Sequence, residues 1–289
     1  MADREGGGRL DVVCAAAEMR TLADGWRRAG LGVGLVPTMG ALHDGHLSLV
    51  RRARAENDRV VVSIFVNPLQ FGPHEDFARY PRRPERDLRV LTAERVDTAY
   101  MPTVKEMYAP GATTRIRVHE LEDVLEGEHR PGHFEGVATV VTKLFNAARP
   151  HRAYFGRKDA QQAALITRMA RDLDTGIDVV VLPTIREPDG LALSSRNVYL
   201  GPDERLAATC LSRALRAARD LHAGGERDTG RLRAAMARVV AAEPLAHLEY
   251  AAVVDPVVFT PPGDLAVLAV RIGPVRLIDN HPLGEPFRV

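Results

Sequence analysis

Through the first two-thirds of the chain, short unbroken apolar runs alternate with segments of helical periodicity, and this alternation narrows the possible folds more than any other feature. The runs at 33–36, 59–66, 98–101, 152–155 and 177–182 read as strands. The run at 59–66 lacks the polar alternation of a half-exposed strand and so reads as buried on both faces. Val137, Val140, Val141, Leu144 and Phe145 recur at the spacing that places them on one helix face. Residues 84–96 read as a helix with Pro84 in its first turn, and 160–173 as another that Asp159 can cap. Strand and helix in this order predict an α/β fold with a Rossmann-like, doubly wound parallel sheet. From about Ile185 the texture changes: helical stretches at 204–222 and 229–242 precede strand-like runs at 248–254, 265–270 and 275–278. The expected division is therefore residues 1–184 and a smaller α+β C-terminal domain, 185–289.

The run at 33–36 leads into PTMGALHDGH at 37–46, and then into Leu47, Leu49, Val50 and Ala53 at helix-like spacing. A strand, a glycine-rich turn and a helix start can hold phosphate, because free backbone N–H groups and the positive end of the helix dipole favour an anion. His43 and His46 add imidazole donors there. The glycine spacing copies a P-loop, but His46 and Leu47 stand where Lys and Ser or Thr would follow, which excludes a Walker-type NTPase. Two bland readings stay open: the histidines cap a helix, or they bind a structural zinc. Zinc would need further ligands, and Cys14 and Cys210 are distant in sequence.

Two more polar turns follow strands, at 67–72 and at 156–159. Ligands of open parallel sheets sit beyond the carboxyl ends of strands, so the three turns are expected to face one crevice. Lys158 offers a mobile ammonium, and Ser194, Ser195 and Arg196, after a Pro-Asp-Gly turn, offer hydroxyls and a planar guanidinium for phosphate oxygens. Gln70 and Gln162 carry amides that both donate and accept.

Net charge is +1, so no global field favours nucleic acid, and the arginines around 79–83 read as a solvated loop and helix start. Two cysteines are no disulfide framework, as in a reducing cytoplasm. Asp11, Glu18 and Arg20 interrupt any signal-peptide stretch, no run is apolar enough to cross a bilayer, and the glycines at 6–8 mark a frayed terminus.

PTMGALHDGH resembles the HxGH signature of adenylyl-transferring nucleotidyltransferases, and specifically that of the pantoate–β-alanine ligase family. Four further blocks follow in that family's order: VSIFVNPLQFG at 62–72, RPGHF with GVATVVTKLF at 130–145, YFGRKDAQQ at 154–162 and DGLALSSRN at 189–197. The resemblance implies ATP-dependent condensation of pantoate with β-alanine through a pantoyl adenylate, with AMP and pyrophosphate released. It implies a homodimer; Mg2+ is expected alongside ATP, held mostly by ATP phosphates and water, since no carboxylate pair stands out as its ligand. By the same resemblance His46, His43 and Lys158 are catalytic, with His46 the proton donor. ATP contacts fall on Met39, Gly40, His43, His46, Gly156, Arg157, Lys158, Asp159, Ile185, Leu193, Ser194, Ser195 and Arg196, with Gly156 and Asp159 facing the ribose. Gln70 and Gln162 bind pantoate, Gln70 also places β-alanine, and 194–196 correspond to a phosphate loop expected to close as a lid. Val137, Val140 and Phe71 either line a wall for pantoate's gem-dimethyl group or serve the core.

The chain departs from the family pattern at Asp44, Leu193 and His129, which replace Glu, Met and Ser, and at Arg157, which replaces Glu and reverses a charge within the ATP block. Competing readings are a simple nucleotidyltransferase, against which the Gln70 and Gln162 blocks argue, and a non-catalytic nucleotide-binding module, against which the presence of His43, His46, Lys158 and Arg196 argues.

Overall fold

The computed structural model describes residues 10–73 and 75–287; the glycines at 6–8 lie outside them. Contacts divide the chain into two compact units: residues 1–122, 130–155 and 165–182, and residues 123–129, 156–164 and 183–289.

The first unit is built on a six-stranded sheet. Its elements are β1 (Asp11–Val13), α1 (Ala16–Arg28), β2 (Val33–Thr38), α2 (Asp44–Glu56), β3 (Arg59–Ile64), α3 (Pro84–Ala93), β4 (Thr98–Tyr100), α4 (Val104–Met107), α5 (Glu126–His129, assigned to the second unit), α6 (His133–Ala148), β5 (Arg152–Gly156), α7 (Ala160–Asp172, whose first turn belongs to the second unit) and β6 (Asp178–Leu182). The strand order is β1-β4-β3-β2-β5-β6, with β1/β4, β4/β3, β3/β2 and β2/β5 all parallel. Val36, Val60 and Val62 pack against Leu49, Val50 and Ala53 of α2 and Leu91 of α3, and the alternate residues Val33, Leu35 and Val61 are buried too, so the runs of β2 and β3 are buried on both faces, as their composition requires. The run ending in β6 differs: it is an edge strand and Val181 is 37% exposed. The short edge strand β1 and helix α1 gave no clear sequence signal.

The second unit carries α8 (Pro202–Ala207), α9 (Cys210–Ala223), α10 (Thr229–Ala241) and an antiparallel sheet β7 (Ala246–Val254), β8 (Leu265–Ile272), β9 (Val275–Pro282). Leu211, Leu215, Leu232 and Met236 bury the helix faces against Leu268, Val270 and Leu277. The single helix expected at 204–222 is two. The Thr209 hydroxyl and N–H both bond the Leu206 carbonyl, at 2.7 and 3.1 Å, a tight turn that breaks the i−4 ladder. Among the described residues no helix is long and apolar enough to cross a membrane.

Candidate active site

In the first unit β2 and β3 are parallel neighbours, so the turns that follow them leave the same edge of the sheet. At the end of β2 the Thr38 hydroxyl donates to the Ser63 carbonyl (2.7 Å) and accepts the Gly40 N–H (3.2 Å). The chain then reverses through Gly40 (φ +82°) and Ala41 (φ +50°). A side chain at Gly40 would start 3.0 Å from Ile64 Cγ2 and 3.1 Å from Asp87 Oδ2, so glycine is required by space as well as by φ. Asp87, on α3 and 1% exposed, accepts the N–H groups of Ala41 (2.8 Å) and Leu42 (2.9 Å), while Arg86 donates to the Leu42 carbonyl (2.7 Å). The amides of residues 40–42 are therefore spent within the protein. Anion capacity falls instead to the opening amides of α2 ahead of His46, whose own N–H bonds the His43 carbonyl (2.8 Å), and to the two histidines.

His43 is the N-cap of α2 and His46 its third residue, with ring centroids 4.1 Å apart and tilted by 35°. The His43 N–H points at His46 Nδ1 (3.4 Å). An imidazole nitrogen that accepts carries no proton, so the neutral ring holds its proton on Nε2 and presents it as a donor. Among the described residues the one group of three potential metal ligands is His119, Glu122 and Asp123, which includes neither histidine, so the zinc reading finds no third ligand here.

The turn after β3 places Gln70, 9% exposed, beside Met39: Gln70 Nε2 donates to Met39 Sδ (3.3 Å). Asn67, 1% exposed, donates to Gln70 Oε1 (3.0 Å) and to the Gly136 carbonyl (3.0 Å), and accepts from Tyr108 Oη (2.8 Å). Burial raises the Tyr108 pKa above its ordinary value, keeping that hydroxyl a donor. Asn67 and Asp87 were not singled out from sequence, although Asn67 lies within a family block; polarity inside an otherwise apolar or helical stretch was the available signal. Val137 and Val140 are 2% and 6% exposed and belong to the core, and Phe71 packs edge-on against Phe77 and Tyr80.

The remaining candidates lie in the second unit. Gly156, Arg157, Lys158 and Asp159 form a single turn leading into α7, and Gln162 follows in that helix. Asn280 of β9 grips this turn by donating to the carbonyls of Arg157 (2.8 Å) and Lys158 (2.9 Å). Arg157, the charge-reversing departure, is neutralised by Glu285 at 2.8 Å. Lys158 Nζ stands 3.5 Å from Asp159 Oδ1. Ile185 and Leu193 pair through the Leu193 N–H and the Ile185 carbonyl (2.9 Å), closing a small loop whose base is a buried two-pronged ion pair from Arg186 to Asp279 (2.6 and 2.9 Å). Arg205 bonds Asp189 (2.6 Å) and Glu187 (2.7 Å) on the same loop and holds the Asp189 carboxyl below its usual pKa. Beyond it, Ser194 Oγ accepts the Arg196 N–H (3.3 Å) and starts the short helical turn Ser195–Tyr199.

Comparison with known proteins bears on the whole chain. The family model described as pantoate-beta-alanine ligase matches residues 11–282. A pantothenate synthetase of Roseiflexus sp. (strain RS-1) is 58% identical over 94% of this chain and 98% of its own length. Another, from Rubrobacter xylanophilus, is 56% identical over 92% and 96%. The crystal structure of pantothenate synthetase from Thermus thermophilus superposes with a TM-score of 0.89 at 47% identity, covering 95% of this chain and 99% of that one. The pantoate-beta-alanine ligase of Francisella tularensis, solved with beta-gamma ATP and beta-alanine, has a TM-score of 0.81 at 34% identity, covering 97% of this chain and all 100% of that one. With this extent of matching, and with the glycine turn and paired histidines at the end of β2, the chain belongs to the pantoate–β-alanine ligase family.

Proposed function

We propose that the chain joins pantoate to β-alanine at the expense of ATP, in two steps. A carboxylate and an amine do not condense at neutral pH, so the acid must first be activated. The pantoate carboxylate attacks the α-phosphorus of ATP and pyrophosphate leaves; the β-alanine amine then attacks the acyl carbon of the pantoyl adenylate and AMP leaves. The first step is mainly positioning and charge neutralisation. His46 donates a hydrogen bond from its Nε2–H to the departing pyrophosphate, with His43 beside it, and Lys158 follows the charge on the α-phosphate. Met39, Gly40, Gly156, Arg157, Asp159, Ile185, Leu193, Ser194, Ser195 and Arg196 serve ATP, which enters as its magnesium complex. Gln70 and Gln162 orient pantoate, and Gln70 also places β-alanine. Residues 1–184 supply nucleotide and pantoate binding, residues 185–289 act as a lid, and the enzyme works as a cytoplasmic homodimer.

The observation that carries this reading is the His43–His46 pair, with His46 Nδ1 facing the His43 N–H, in a chain of this family. The test is pantoate-dependent exchange of labelled pyrophosphate into ATP with β-alanine omitted. Exchange is expected, and His46→Ala is expected to lose it by roughly the 10²–10³-fold that one preorganised donor at a developing charge supplies. Absence of exchange with folded protein and magnesium present, followed by AMP release only when β-alanine is added, would reject the order of steps; no turnover at all would reject the substrates.

A further inference from the structure

Gln70 is held by its backbone as well as its side chain. His133, the first residue of α6 and 8% exposed, has Nδ1 at 2.9 Å from the Gln70 carbonyl. Its Nε2 lies 3.1 Å from Arg130 Nη1. A guanidinium only donates, so Nε2 must accept; the ring proton is then on Nδ1 and is donated to Gln70. Arg130 adds a bond of its own to the same carbonyl (3.3 Å). The guanidinium is itself fixed by a two-pronged bond to Glu75, Nε to Oε1 and Nη2 to Oε2, both 2.7 Å. The Glu75 carboxylate is partly buried, and burial raises its pKa, but the hydrogen bonds and charge of Arg130 more than offset this and leave it below the ordinary value. The three side chains thus form a relay with every donor direction determined, from the Glu75 carboxylate through Arg130 and the neutral imidazole to one peptide oxygen.

We propose that His133 is a positioning residue for the acid substrate, fixing the Gln70 main chain through Nδ1–H while Arg130 and Glu75 fix the His133 tautomer. The inference rests on the reading that Gln70 binds pantoate. Asn67 and Met39 restrain the Gln70 amide from one side, and His133 restrains its peptide from the other. The relay thereby sets the amide's position to within the tolerance that orientation of a bound carboxylate demands. A role confined to general stability would affect both substrates alike; a positioning role falls on pantoate.

The experiment is steady-state kinetics with pantoate and ATP varied separately, on His133→Ala, His133→Asn and Gln70→Ala. His133→Ala is expected to raise the pantoate KM about tenfold, the order of one lost hydrogen bond, with the ATP KM and kcat changed about twofold or less. The Asn amide puts an N–H where Nδ1–H stood, so His133→Asn is expected to restore most of the pantoate KM. A normal pantoate KM in His133→Ala, with a raised one in Gln70→Ala, overturns the relay and leaves the Gln70 reading intact. A normal pantoate KM in Gln70→Ala overturns that reading and the inference with it. Equal rises for both substrates in His133→Ala also overturn the positioning role. If His133→Ala does not fold, Glu75→Gln serves: the relay predicts a smaller selective rise in the pantoate KM, and no rise overturns it.

Discussion

The Asp87 carboxylate accepts from two neighbouring amides, one on each oxygen, and an amide side chain has only one oxygen to offer. Asp87→Asn would turn an NH2 group toward one of these N–H donors. With Thr38 and Arg86 the carboxylate holds the left-handed turn at Gly40 and Ala41, so the substitution is expected to cost about 1–3 kcal/mol in unfolding free energy. We further expect a rise in the ATP KM larger than that in the pantoate KM; separate titrations of the two substrates check it, and an unchanged ATP KM would detach this carboxylate from the phosphate loop. His151 gives the complementary prediction for pH. Its Nδ1 accepts the Val33 N–H (3.0 Å), and burial, with the charges of Arg27 and Arg152, pushes its pKa below the ordinary 6.5. The unfolded chain therefore binds the proton more tightly than the folded one, so the contribution to stability is complete above pH 6.5 and is lost as pH falls through the lower folded value. Asn at this position offers an oxygen acceptor at any pH. The urea midpoint is expected to drop less between pH 7.5 and 5 in His151→Asn than in the parent; His281, whose pKa burial also lowers, contributes equally to both and cancels. Parallel pH profiles would remove His151 from the account.

Helix α6 shows how an element can be legible while its task is not. The apolar spacing from Val137 to Phe145 announces a core-facing helix, and all five of those residues are buried. Gly136 is a different matter. A Cβ there would lie 2.3 Å from the Leu69 carbonyl oxygen and 2.7 Å from the Gln70 nitrogen, so the helix touches the turn of Pro68–Gln70 backbone to backbone. In a helix, glycine normally costs about 1 kcal/mol relative to alanine. Here Gly136→Ala is expected to reverse that sign, losing about 1–3 kcal/mol through overpacking and weakening pantoate more than ATP. A urea melt with substrate titrations decides it, and a stabilised variant with normal pantoate affinity would show that the turn yields freely. Periodicity could not reveal this approach, because the residues in contact are separated by more than sixty positions and glycine has no side chain to signal a partner. The same holds for Arg157: the sequence displays a reversed charge inside a nucleotide block, and only the fold supplies Glu285. By contrast, the buried strands, the crossover helices and the histidine pair were readable because local pattern alone determines them.

At the scale of the molecule, the change of texture near residue 185 marks only the last point at which the chain passes between its two units. The second unit also takes 123–129 and 156–164, and charge explains why. Glu126, 5% exposed, receives bonds from Arg276 at 2.8 and 2.6 Å and from the Tyr250 hydroxyl at 2.9 Å, and Arg276 is shared with Glu249 at 2.6 Å. Gln161 joins the two early segments, accepting the Glu126 N–H (3.2 Å) and donating to the Val124 carbonyl (2.9 Å). Arg276 comes from β9 and the Tyr250 hydroxyl from β7, and the Asn280 amide that grips the carbonyls of Arg157 and Lys158 comes from β9. Such partners are far apart in sequence and leave no periodic trace. A fragment ending at residue 184 would keep Glu126 and lose Arg276, and stripping one partner from a buried pair costs about 3–5 kcal/mol. We therefore expect the fragment 1–184 to retain exchange-protected amides in β2 and β3 but to lose protection across 123–129 and 156–164, and to bind ATP far more weakly than the full chain. Hydrogen exchange and ATP titration on the fragment and the full chain, under identical conditions, measure both. Protected amides at 156–164 in the fragment would mean that α7 and the sheet hold that turn without Asn280, and that the late strands contribute little to the Lys158 turn; loss of protection there would mean that the last hundred residues build the site they follow.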